Sequence, residues 1–235
     1  MDRPTWKVAP PLCWGYYRPR GIGMKCLIRV AGLFIAVLLS ACRVDVTADL
    51  YSEDLLESDS NIRFPAILEV EVPSCTSSDI AATEENLLSI FSSESDANIS
   101  GCREDGFTSL LGVSFDGEIA SEESEADLTI FRTVNDAGNN YFTAALNPNF
   151  RNRMNRLLDE NMQKLEPSNL TFRIHLRHDI DEPSDLLLIS GWIDGKVGQF
   201  TTRKLEKRDG VRLRFSNVIS DMILNDKRPA LFFLN

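Results

Sequence analysis

Residues 170–215 read LTFRIHLRHDIDEPSDLLLISGWIDGKVGQFTTRKLEKRDGVRLRF. Leu170, Phe172, Ile174 and Leu176 alternate with Thr171, Arg173, His175 and Arg177. That period of two puts one face of a strand in a core and the other in water. Residues 186–193, 197–205 and 211–215 continue as strands. Asp194-Gly195 and Asp209-Gly210 fall between them, and such pairs favour the tight turns of hairpins. The stretch therefore predicts consecutive antiparallel strands.

The same signals extend outward. Ile62, Phe64, Ala66, Leu68, Val70 and Val72 define another half-buried strand. Residues 43–51, 110–115, 128–133, 141–146 and 228–234 read as strands as well. Ile80, Leu87, Leu88 and Phe91 share a helical face. Asn147-Pro148 is a helix start, with a capping residue followed by a proline at the first position. Val218, Ile219, Met222 and Ile223 mark a short helix. Residues 92–100 and the acidic stretch 118–127 read as loops. The expected fold class is α+β, a largely antiparallel sheet with a few short helices packed on one side.

The chain has 235 residues, 43% hydrophobic and 26% charged, which fits a globular domain and excludes low-complexity and polytopic membrane classes. Its net charge of −10 argues against nucleic acid as a partner. That charge is an average, because residues 1–41 carry +5 and the remainder −15. Met24-Lys25-Cys26-Leu27-Ile28-Arg29 is a short basic segment. The apolar run VAGLFIAVLL follows at 30–39 and is too short to span a bilayer as a helix. Leu39-Ser40-Ala41-Cys42 then resembles the lipobox of bacterial lipoprotein precursors.

By that resemblance, residues 24–41 are a lipoprotein signal peptide, Cys42 is lipidated, and the mature chain is a single periplasmic domain over 42–235. Residues 1–23, with Pro4, Pro10, Pro11, Pro19, Trp6 and Trp14, fit no such signal. They are read as a disordered extension arising from a misplaced start codon, with Met24 as the true start. Arg43 follows Cys42. In Gram-negative lipoproteins an aspartate there commonly signals inner-membrane retention, so arginine implies the periplasmic face of the outer membrane. No flexible Gly/Ser/Pro-rich linker separates Cys42 from the first strand, so the body is expected close to the membrane.

Cys13 and Cys26 are lost with the leader. Cys75 and Cys102 remain, and an exported pair is expected to form a disulfide. Neither has a histidine nearby in sequence to make a catalytic thiol. His175 and His178 lie three apart, on opposite faces of a strand, which does not suit a shared metal. Both read as surface histidines. Asp179, Asp181, Glu182 and Asp185 read as a solvated turn, since Pro183 and a missing glycine break the calcium-loop pattern. Arg203, Lys204, Lys207, Arg208, Arg212 and Arg214 form a basic hairpin on an acidic body. That patch suits anionic lipid headgroups or an acidic partner, or simply protects a sheet edge.

No P-loop, nucleophile elbow, zinc-protease motif or dinucleotide fingerprint occurs. The lipobox cysteine, RVDVTADLY at 43–51, a short helix and the strand ending Val-Pro-Ser-Cys75 together resemble a family of uncharacterised bacterial and prophage-associated lipoproteins. The resemblance implies no catalytic residues and no cofactor. The leading expectation is a non-enzymatic, lipid-anchored envelope protein that binds another envelope protein or lipid headgroups. The alternatives are a carrier or sensor of apolar ligands, and an envelope hydrolase.

Overall fold

The computed structural model describes residues 43–57, 61–76, 78, 80–160, 169–225 and 227–235. Residues 1–23, the segment 24–41 and Cys42 lie outside them. The strands are β1 (Val44–Tyr51), β2 (Ile62–Val72), β3 (Asn98–Asp105), β4 (Thr108–Ala120), β5 (Leu128–Val134), β6 (Asn140–Leu146), β7 (Leu170–Arg177), β8 (Ser184–Ile193), β9 (Lys196–Leu205), β10 (Gly210–Phe215) and β11 (Ala230–Leu234). Among the described residues four helices interrupt them: α1 (Ser52–Leu56), α2 (Ile80–Leu88), α3 (Pro148–Glu160) and α4 (Asn217–Leu224).

Nine strands close into a barrel, in the order β10-β7-β1-β2-β4-β5-β6-β11-β8 and back to β10. This corrects the α+β expectation of a flat sheet with helices on one side. The physical reason is coverage. Four short helices cannot shield one face of so large a sheet, whereas curling the sheet buries that face against itself and removes its free edges. β1 pairs parallel with β7, and β4 parallel with β5; the other pairs are antiparallel. β3 and β9 lie off the ring, on β4 and β8 respectively.

The inward residues of each strand fill the barrel. Phe64, Phe142, Phe172, Phe215 and Phe232 are all fully buried. Phe142 and Phe232 stack at 4.9 Å between ring centroids. The helices add Leu55, Leu87, Phe150, Met154, Ile219 and Ile223 to the same core. α3 starts where the sequence places it, and Asn147 Oδ1 caps it by accepting the Asn149 amide at 2.8 Å.

Three further local readings need correction. Residues 98–100, assigned to the end of a loop, begin β3 instead. Residues 118–120 belong to β4 rather than to an acidic loop, and Asp127 is buried. Asp127 accepts from the Ser92 amide at 2.7 Å and the Ser95 hydroxyl at 2.6 Å, and pairs with Arg153 at 3.2 Å. A carboxylate with that many donors is satisfied without water. Finally, β9 and β10 do not form a hairpin. β9 pairs with β8, while β10 pairs with β7 and β8.

Closure rests on β8. It takes β11 along 186–188 and β10 along 191–193. At Gly191 the Arg214 carbonyl comes so near that an added Cβ would lie 2.2 Å from its oxygen. That contact is with backbone and cannot rotate away. Gly191→Val should therefore destabilise the fold by about 2 kcal/mol or more in urea unfolding. Gly210→Ala, with nothing within 4 Å of its added Cβ, should change stability by no more than about 0.5 kcal/mol. Equal effects would count against the seam at Gly191 as the tight point of closure.

Candidate interaction face

Because Phe172, Ile174 and Leu176 point into the barrel, Arg173, His175 and Arg177 line the outside of β7. Likewise Val211, Leu213 and Phe215 turn Arg212 and Arg214 outward from β10. Register sets Arg212 opposite His175 and Arg214 opposite Arg173. β1 flanks β7 on its other side, placing Asp49 beside His175 and Tyr51 beside Arg177. Trp192 of β8 is the partner of Arg214.

These basic side chains are compensated unequally. Arg173 pairs with Asp45 at 3.1 Å, and His175 Nδ1 lies 3.0 Å from Asp49. Arg214 instead sits over the Trp192 ring, 5.0 Å from its centroid. Arg177 sits 5.6 Å from the Tyr51 centroid and donates to the Tyr51 hydroxyl at 3.2 Å. Among the described residues, Arg177, Arg212 and Arg214 make no ion pair. Stacking holds a guanidinium by its face and leaves its in-plane N–H donors available. The face is thus arranged to accept phosphate or carboxylate oxygens.

A cleft of about 540 Å³ continues this surface, bordered by Tyr51, Arg177, Lys207, Arg208 and Gly210. Arg208 has a positive φ of 73° and its amide donates to the His178 carbonyl at 2.7 Å, while the His178 amide donates to Asp209 at 2.8 Å. Lys207 is tied to Asp181, which holds the lysine pKa above and the aspartate pKa below their ordinary values.

The structure therefore divides the six basic residues singled out in the sequence. Arg212 and Arg214 join the outer face, and Lys207 and Arg208 border the cleft. Arg203 and Lys204 stay on β9, where Arg203 binds Asp194 and Lys204 lies 3.9 Å from Glu206. Sequence reasoning left Arg173, Arg177, Tyr51 and Trp192 out of the patch. Alternation exposed Arg173 and Arg177, but only the pairing of β7 with β10 brings them to Arg212 and Arg214.

His178 is also not on the surface. It is buried, with Nδ1 3.0 Å from the Ser52 hydroxyl and Nε2 2.9 Å from the Glu182 carbonyl. A serine and histidine at that spacing resemble a nucleophile and its base. Ser52 is fully buried as well, so this pair latches α1 to the loop before β8. Asp179, from the acidic turn, accepts the Glu53 amide at 3.0 Å. Among the described residues no group of three or more His, Cys, Asp or Glu is placed to hold a metal, and no helix is long and apolar enough to cross a membrane.

Cys75 and Cys102 are joined by a disulfide that ties β3 to the chain beyond β2, with a Cα–Cα distance of 5.5 Å. The site thus sits on a closed β-barrel with an arginine-rich outer wall. The chain belongs to the family described as Domain of unknown function (DUF7424), whose model matches residues 44–234. That span begins with β1 and ends with β11. No curated protein is similar enough to this chain to count as a match.

Asp194 stitches the seam below this face. Its Oδ1 accepts the Arg212 amide and its own amide donates to the Arg212 carbonyl, both at 2.9 Å. Burial alone would raise its pKa, but the Arg212 amide and the Arg203 guanidinium outweigh it, so the carboxyl lies below its ordinary 3.8. A carboxylate depressed in the folded state stabilises it above the unfolded value and loses that effect as pH falls. The stability gap between wild type and Asp194→Asn should be present at pH 7 and shrink as pH drops below about 4. A gap that stays constant from pH 7 to pH 3 would refute this assignment.

Proposed function

We infer that this protein is a lipid-anchored component of the bacterial envelope, without catalytic activity, that binds an anionic envelope partner through Arg173, Arg177, Arg212 and Arg214. The observation that carries the reading is the half-compensated arginine face on a body whose net charge is −15. Its ligand groups are phosphates or carboxylates of another envelope protein or of lipid headgroups. The lipobox resemblance at Leu39-Ser40-Ala41-Cys42 supports the anchor, and Arg43 supports the outer membrane. β1 begins two residues after Cys42, which keeps the barrel near the bilayer. The filled interior supports this reading over carriage of an apolar ligand. The burial of Ser52 and His178 supports it over hydrolysis.

The test is crosslinking in membranes followed by purification of the protein with whatever it holds. Cys42→Ala should move the protein out of the membrane fraction. Arg212→Glu with Arg214→Glu should leave it there and reduce partner recovery by at least tenfold. Unchanged recovery with the double charge reversal would rule out this face.

A further inference from the structure

The β3–β4 hairpin joins a ring strand, β4, to a strand that lies off the ring, because β3 pairs only with β4. Its turn is Gly106-Phe107, between the paired residues Asp105 and Thr108. Phe107 is fully exposed, with a relative accessibility of 110%. Gly106 at φ 66° makes the turn, and the Thr108 hydroxyl closes it on the Asp105 carbonyl at 2.9 Å.

This flap is braced at its root. The Cys75–Cys102 disulfide fixes one side. Arg103 grips both oxygens of Glu69, at 2.7 and 3.1 Å. Asp105 lies between two guanidinium groups, 3.6 Å from Arg43 and 3.7 Å from Arg103. An apolar side chain is therefore held out in water on a braced hairpin, two residues after an acid that lies near two guanidinium groups.

Its position gives it a partner. β4 runs in the same direction as β1, since each is antiparallel to β2. Their N-terminal ends thus lie at one end of the barrel. The Arg43 carbonyl accepts the Glu71 amide at 2.9 Å, and Glu71 pairs with Leu110. Phe107 lies three residues further out along the hairpin, about 10 Å beyond that level. Arg43, the sequence neighbour of Cys42, therefore lies at the same end.

We propose that Phe107 is a second membrane contact, which enters the lipid–water interface beside the acylated Cys42. This rests on the lipid-anchor reading. One tether lets a barrel pivot, and a second point fixes its tilt. Exposed aromatic side chains favour that interface.

The experiment uses the full chain, made with its leader and reconstituted into phosphatidylethanolamine–phosphatidylglycerol vesicles with bromine on the acyl chains. Phe107→Trp reports depth, and wild type gives the baseline from the native tryptophans. The added emission should fall at least twofold relative to unbrominated vesicles. Flotation with the vesicles without quenching leaves the anchor standing and overturns the role of Phe107. That same result would direct attention to a protein occupant of the tip. Failure of the acylated chain to float overturns the anchor and this proposal with it.

Discussion

Everything in this structure depends on how β8 closes the ring. Two strands distant in sequence, β10 and β11, both pair with it, and β9 pairs with it along nearly its whole length. The approach of β10 is close enough that only glycine fits at position 191. A twisted sheet of this size with exposed ends would leave unpaired backbone groups at two edges. Closure satisfies them and seals an apolar interior in one step. The closing strand also builds the candidate site. The Gly191 seam sets Trp192 beside Arg214, and Asp194 holds the backbone of Arg212. Seam and candidate face are the same piece of structure.

Most strands were legible because alternation is local. Residues 170–177, 62–72 and 211–215 each announce an inner and an outer face, and the structure follows those faces. Pairing between strands far apart in sequence was not legible. β1 meets β7 in parallel across more than 100 residues, and no periodicity records that contact. Without it, a run of hairpin signals reads as an open sheet. Asp209-Gly210 misled for a related reason. A turn signal shows that the chain reverses, but not which neighbour it pairs with next.

Polar residues misled where burial depends on non-local donors. Asp127 reads as solvated because it ends an acidic run, yet residues from two other segments converge on it. His178 reads as exposed because it follows a strand with charged neighbours, yet Ser52 and the Glu182 carbonyl saturate its ring. Each group is buried because its hydrogen-bonding capacity is filled. The partners of Asp127 lie 26 to 35 residues away in sequence, and Ser52 lies 126 residues from His178, so neither site follows from its own segment.

The same topology separates two explanations for the basic residues. Charge on a sheet edge prevents that edge from pairing with another chain. This accounts for Arg203 and Lys204, because β9 has β8 as its neighbour and presents its other edge. It does not account for Arg212 and Arg214. β10 lies inside the ring, paired with β7 and β8, and has no edge to protect. Nor do these arginines serve the core, since their neighbours Val211, Leu213 and Phe215 do that. Setting Arg214 opposite Arg173 brings like charges together across a strand pair, which is unfavourable without compensation. Asp45 offsets part of it on β7, while β10 has the Trp192 ring for Arg214 and the Asp194 carboxylate near Arg212. An anion bound across both strands would complete the compensation, and that deficit is the physical basis for proposing a partner there.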